Sequence, residues 1–339
     1  MIDGEFPPAL YRWACPNCGG LIDSRRLGAG LPCRSCLPNE LENGDLLGTL
    51  RELEKLGTLK RMKPILYMYT KYNELNELFK ESTGFEMWGA QRVWARRLVR
   101  GKSFAVIAPT GSGKTTFGII ASMYAAKRGG SKSMIVTPTS TLAYQLYQRA
   151  LTYSKGNFRI ITYNSLLTKK ERDEAMSKIK SGEYDILIVT NSFLSKHMDE
   201  LEKTKYGLIF VDDVDSVLKA SSKNIDRLLV LLGIPKEAIE LGGLEAIKVS
   251  KDALQAFRNG AEADSAELND RVRDMTRRIR EIIGERSIGT LVVSGVLTRP
   301  RGTLRALLFR EFLGFEVGGA GPRGGLGTWL TYSCIQRTM

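Results

Sequence analysis

Nine consecutive residues, Ala108-Pro109-Thr110-Gly111-Ser112-Gly113-Lys114-Thr115-Thr116, combine two glycines, a lysine and four hydroxyls. Glycines let backbone N–H groups curl around a phosphate, because they accept conformations that other residues resist. At this spacing Lys114 would reach the β- and γ-phosphates and the Thr115 hydroxyl would face Mg²⁺. Ala108 stands at the first position, where the pattern has glycine. Thr110, Gly111, Ser112, Gly113, Lys114, Thr115 and Thr116 are the expected nucleotide contacts. An ordinary glycine turn would use similar residue types but would not need this order. The chemistry indicated is the binding of a nucleoside triphosphate.

Two further clusters carry chemistry. Cys15-x2-Cys18 and Cys33-x2-Cys36 are separated by fourteen residues. Each pair can form a knuckle that aims two thiolates at one ion, and two knuckles complete a tetrahedron. Two disulfides, or a redox pair needing only one Cys-x2-Cys, are the alternatives; structural Zn²⁺ on Cys15, Cys18, Cys33 and Cys36 is the expectation. Phe6, Tyr11 and Trp13 lie among Arg12, Arg25, Arg26 and Arg34. This mix suits stacking on nucleic acid, and the aromatics would equally serve to cover a small core. The third cluster is Val211-Asp212-Asp213-Val214-Asp215, at the end of an apolar run about a hundred residues after the glycine loop. An apolar strand ending in acids at this distance from a glycine loop reads as the Mg²⁺-side motif of an NTPase, and alone the two aspartates could equally be a turn or a helix cap.

These residues need rigid elements behind them. Phe104–Ala108, Ser133–Thr137, Phe158–Ile161, Ile186–Thr190, Leu208–Val211 and Leu291–Ser294 read as buried strands, and helical signals alternate with them. That alternation predicts an α/β fold: a parallel-sheet P-loop NTPase domain, preceded by a small four-cysteine zinc ribbon and a helical linker. The expected division is a ribbon at 1–40, a linker at 41–84 and the nucleotide domain at 85–317, with a charged helical segment at 233–286. Leu46, Leu47, Leu50, Leu53 and Leu56 recur at helical spacing in the linker. Leu268, Val272, Met275, Ile279 and Ile282 do so in the charged segment, where acids interleave with the arginines. Residues 318–339 are glycine-rich and lack periodicity, and read as an irregular tail.

The 339 residues carry a formal charge of +13, which favours a polyanionic partner such as DNA. No apolar run approaches the ~18 residues of a membrane span, and the N-terminus lacks the parts of a signal peptide. A cytoplasmic location is the default expectation. One histidine excludes His-rich metal sites, and the scarcity of glutamine hints at a hot-adapted source.

Taken together, the cysteine pairs, the glycine loop and Asp212-Asp213-Val214-Asp215 resemble the N-terminal part of reverse gyrase. That family joins a superfamily 2, RecA-like helicase module to a type IA topoisomerase. The resemblance covers residues 1 to roughly 318 and implies ATP, Mg²⁺ and Zn²⁺ as cofactors and DNA as partner. It also implies that Lys114, Asp212 and Asp213 carry the ATPase chemistry. Gln91, after Trp88-Gly89-Ala90, looks like the adenine-reading glutamine, with Phe85 as a stacking partner for the base. Pro138-Thr139-Ser140 and Thr190-Asn191-Ser192 fall where the family grips the nucleic-acid backbone. Ser294-Gly295 holds the place of the motif that couples nucleotide state to that grip, and Val296 stands where threonine is usual. A second helicase domain and the topoisomerase half are expected to come from elsewhere, either a separate chain or the remainder of a gene that this sequence truncates. Two other readings stay open: a stand-alone superfamily 2 helicase, and a nucleotide-gated DNA-binding module without efficient turnover.

Overall fold

A computed structural model describes residues 7–39, 45–216, 223–295 and 307–315. The chain divides into two compact units between Glu74 and Leu75. Phe6, residues 296–306 with Val296, and the tail from 316 onward lie outside the described residues.

In the first unit, β1 (Leu10–Tyr11) pairs antiparallel with β2 (Ile22–Asp23), and the short helix α1 (Ser24–Gly28) follows. The Asp23 carboxylate caps that helix by accepting the Arg26 N–H at 2.9 Å. Arg26 itself turns inward, contrary to its expected place on a basic surface. Its guanidinium donates to the Pro32 and Leu37 carbonyls at 2.7 Å each, which satisfies backbone that the second knuckle leaves unpaired. Helix α2 (Leu46–Lys55) buries Leu50 and Leu53 in one core with Cys15, Ile22, Cys33, Cys36, Met62 and Leu66. Each buried leucine contributes about 1.5–3 kcal/mol. The buried Asn17 amide donates to the Thr58 carbonyl and accepts the Lys60 N–H, both at 2.8 Å. The ribbon therefore shares its core with the helix that follows it. Helix α3 (Lys63–Thr83) carries the chain into the second unit.

That second unit is built on six parallel strands: β3 (Phe104–Ile107), β4 (Lys132–Thr137), β5 (Ile160–Tyr163), β6 (Ile186–Thr190), β7 (Tyr206–Val211) and β8 (Thr290–Gly295). Their spatial order is β3-β8-β7-β4-β6-β5. Strands such as Ile186–Thr190 are buried at every position, the pattern of a sheet covered on both faces. β5 begins two residues later than Phe158, because the Arg159 N–H bonds the Asp185 carboxylate at 2.8 Å instead of a neighbouring strand. The order matters for chemistry. It sets β8, the last strand in sequence among the described residues, between β3 and β7, so three carboxyl ends from distant parts of the chain lie side by side.

Helix α4 (Gly89–Val99) precedes β3, and helix α5 (Lys114–Gly129) follows it to pack on β7. Close approach there depends on Gly118, where a Cβ would run into the buried Phe210 ring. Gly118→Val is expected to destabilise the domain by about 1–3 kcal/mol through overpacking, read as a lower midpoint in denaturant unfolding. The charged segment forms a π-helical turn (Ala238–Gly243) and the helices Leu244–Arg258 and Glu262–Ile283, which pack on each other. Val272, Thr276, Ile279 and Ile283 face inward. Arg273 pairs with Asp270 at 2.7 Å and Arg277 with Asp274 at 2.6 Å on the exposed side, as the interleaved charges imply. A short helix, Leu308–Leu313, adds Leu308, Phe309 and Phe312 to the main core.

Candidate functional site

Between β3 and α5 the chain turns tightly through Ala108–Gly113. Gly113, with φ +77°, caps the helix from the left-handed region that favours glycine. A helix start of this kind presents unpaired N–H groups and a partial positive charge to an anion. The Lys114 ammonium donates to the Ala108 and Pro109 carbonyls at 2.7 Å each. An exposed lysine is the sequence-based expectation for an empty loop; the structure instead leaves Lys114 only 9% exposed. The reason is local: the curled loop turns carbonyls inward that need a donor, and the ammonium supplies it.

Opposite the loop, the Thr115 hydroxyl lies 3.1 Å and 3.2 Å from the two carboxylate oxygens of Asp212. Ser294, at the end of β8, donates its hydroxyl to Asp212 at 2.8 Å and accepts the Asp213 N–H at 3.3 Å. Asp212 is further anchored by its N–H on the Val136 carbonyl at 2.8 Å. Asp213 is exposed and holds a left-handed backbone, φ +68°, which is uncommon outside glycine. One serine thus joins the two acidic residues that the sequence singles out.

Gln91 is buried against the same loop. Its amide nitrogen donates to the Gly113 carbonyl at 3.3 Å and its oxygen accepts the Trp88 N–H at 3.2 Å. Trp88 is a contact that the sequence reasoning did not single out. Its indole N–H donates to the Ser112 carbonyl at 3.2 Å, and its ring meets Trp94 edge-on at 6.2 Å. An indole three residues before a loop-reading glutamine was the available signal. Phe85 is 76% exposed. Thr110 and Gly111 are exposed at the loop tip, whereas Ser112 and Thr116 are half-buried. The structure therefore gathers Gln91, Lys114, Thr115, Asp212 and Asp213 around one loop.

A second concavity opens past the ends of β5 and β6, with a volume of about 230 Å³. Ser140, Thr190 and Ser192 line it beside Arg172 and Lys196. Both segments expected to grip a nucleic-acid backbone thus meet in one polar, basic hollow.

In the first unit the Sγ atoms of Cys15, Cys18, Cys33 and Cys36 all lie within 4.8 Å of one another. A tetrahedral Zn²⁺ with ~2.3 Å bonds has sulfur–sulfur edges of about 3.8 Å, so the four thiols fit a closed zinc site. Backbone N–H groups already point at the sulfurs, from Gly20 to Cys18 at 3.2 Å and from Cys33 to Cys15 at 3.3 Å. Burial raises the Cys15 thiol, yet the N–H groups of Cys33, Cys18 and Asn17 bring it down to about 6. Burial and the neighbouring thiols push Cys36 up to about 12, the strain a dication relieves.

Comparison with known proteins matches two family models along the chain. Residues 89–240 match the DEAD/DEAH box helicase family and residues 8–56 match the reverse gyrase zinc finger. The chain is 43% identical over 318 residues to a reverse gyrase of Pyrobaculum aerophilum, covering 93% of this chain and 26% of that protein. It is 42% identical over 319 residues to a reverse gyrase of Pyrococcus furiosus, covering 91% and 26%. The chain thus spans about a quarter of the length of these curated relatives. Among solved structures, the UvsW helicase of bacteriophage T4 gives a TM-score of 0.39 at 11% identity, over 69% of this chain and 61% of that one. No described helix is long and apolar enough to cross a membrane. By its zinc finger, its helicase domain and its alignment over nearly its whole length, the chain belongs to the reverse gyrase family, as the zinc-finger and helicase-like portion of those longer proteins.

Proposed function

We propose that this chain binds ATP with Mg²⁺ at the loop Thr110–Thr116 and couples the bound state to its grip on DNA. It would do so as the nucleotide-responsive portion of an enzyme that introduces positive supercoils. The observation that carries the reading is the junction of Thr115, Asp212 and Ser294 at adjacent strand ends. When bound, Mg²⁺–ATP supplies a cleavable phosphoanhydride and a cation that offsets its charge. Lys114 exchanges its two carbonyl acceptors for phosphate oxygens, and Thr115 and Asp212 hold the metal side. Asp213 orients the attacking water; being one methylene shorter than glutamate, it requires that water close to β7. Ser294 touches both acids, so a shift of either is felt on β8. Gln91 leaves the Gly113 carbonyl to read the adenine edge, which ties base recognition to loop opening. DNA backbone binds at Ser140, Thr190 and Ser192, with Arg172 and Lys196 supplying positive charge.

Replacing Lys114 tests this directly. Each charged hydrogen bond lost costs about 1.5–3 kcal/mol, so Lys114→Ala should weaken ATP binding roughly a hundredfold or more. Calorimetric titration reads that change, and a cooperative thermal melt checks that the fold survives. Asp212→Asn should weaken only the Mg²⁺-dependent part of the affinity. An unaltered ATP affinity in the Lys114 variant would remove the assignment.

A further inference from the structure

The zinc-ribbon unit displays aromatic surface that its own core does not use. Trp13 is 85% exposed, and Leu10, Tyr11 and Leu21 on the same hairpin are 65%, 47% and 52% exposed. The core beneath is made instead by Cys15, Ile22, Leu37, Leu50 and Leu53. Covering a small core therefore does not account for Tyr11 or Trp13. Trp13 is also held at φ +63°, in the left-handed region. A bulky residue is a genuine outlier there, and such outliers cluster at sites of function. The indole sits in the turn after β1, two residues before Cys15, so the metal knuckle fixes its base.

Charge says what would cover it. Residues 7–39 contain four arginines and one acid, Asp23, whose carboxylate accepts the Arg26 N–H. Arg12 adjoins Trp13 in the turn and is exposed. Arg34 is exposed in the second knuckle, whose Cys33 N–H bonds the Cys15 sulfur at 3.3 Å. An exposed ring beside the exposed Arg12, with exposed Arg34 on the neighbouring knuckle, suits a polyanion with accessible π faces, which is single-stranded nucleic acid. A duplex keeps its bases stacked, and the five-residue helix Ser24–Gly28 is too short to read a groove. We propose that Trp13 is a stacking platform for one unpaired base of single-stranded DNA, with Arg12 and Arg34 on the flanking phosphates. This rests on the reading of the chain as a DNA binder, and it adds the strand state and the residue.

The test uses the full chain, a dye-labelled oligothymidine of about twenty nucleotides and a duplex of equal length. Trp13→Leu keeps an apolar side chain but removes the π face; Trp13→Phe keeps a ring. Base–aromatic stacking energies predict that Trp13→Leu weakens single-strand binding roughly tenfold, leaves duplex binding within about twofold, and leaves the salt slope unchanged. Trp13→Phe should retain most of the single-strand affinity. Arg12→Ala should instead weaken both substrates and lower the salt slope by about one. Zinc content is measured for each variant. If Trp13→Leu loses zinc, the ring holds the ribbon together and the proposal is overturned. Unchanged single-strand binding in that variant, equal losses on both substrates, or Phe behaving as Leu would each overturn it too, and the first would leave the surface to a protein partner. No DNA binding by the parent chain would sink the broader reading as well.

Discussion

Changing Cys33 to serine should strip the metal from the chain and unfold the ribbon, while the six-stranded sheet stays cooperatively folded. Structural Zn²⁺ sites contribute apparent binding energies of about 10–16 kcal/mol near neutral pH, and that energy is folding energy. The unit it serves has little else. Its core is four cysteines and a few apolar side chains, among them Ile22, Leu50 and Leu53, and β1 and β2 are two residues each. Without the ion, Cys33 and Cys36 would bury thiols beside each other, and the loop carbonyls that Arg26 holds would lose their fixed positions. The sheet unit has its own core, formed by strands β4, β6, β7 and β8 and by Leu228, Phe309 and Phe312. Metal analysis of protein purified without added zinc should find about one equivalent per parent chain and none in Cys33→Ser. Hydrogen exchange should show protection lost in residues 7–62 and kept in β4, β6 and β7. Free thiols and no metal in the parent protein would remove the site altogether.

Local structure was legible in the sequence where it is set by spacing along the chain. The glycine loop, the cysteine pairs and the apolar runs of β4, β6 and β7 each specify themselves within a few residues, because a phosphate cradle, a metal knuckle and a buried strand are local objects. What was not legible depends on which distant segments become neighbours. Nothing in residues 290–295 says that this strand enters between β3 and β7, so the bond from Ser294 to Asp212 could be suspected only from resemblance. The inward turn of Arg26 belongs to the same class, since it answers carbonyls of the second knuckle. The burial of Lys114 reflects a different limit. Charge and position suggest exposure, but an inward-curled loop makes its own acceptors, and their geometry is not written in residue type. The exposure of Trp13 was open for a related reason: an aromatic beside a small core can face either way until the helix Leu46–Lys55 is seen to fill that core.

Purified by itself, the 339-residue polypeptide is expected to bind ATP and hydrolyse it slowly, with no change in DNA topology. Phosphoryl transfer is accelerated chiefly by groups that stabilise charge on the transferring phosphate. On the loop side this chain offers the Lys114 ammonium, already supported by the Ala108 and Pro109 carbonyls. An arginine brought from across the cleft typically adds ~10³–10⁵ in rate, and we propose that a second helicase module would have to supply it. Asp213, which we propose orients the attacking water, would add a further restraint, since its short carboxylate and left-handed backbone would confine that water. Nucleotide affinity should nonetheless be intact, because the loop, Thr115 and Asp212 are complete. DNA binding should persist and weaken steeply with salt, as expected for contacts dominated by phosphates. Strand passage needs a covalent tyrosyl link from the topoisomerase half, so plasmid topology should not move. A phosphate-release assay with and without single-stranded and duplex DNA, run beside a plasmid relaxation gel, measures both statements. Strong DNA-stimulated turnover by the polypeptide alone would show that the charge-stabilising group lies within it, and positive supercoiling would overturn the division of labour proposed here.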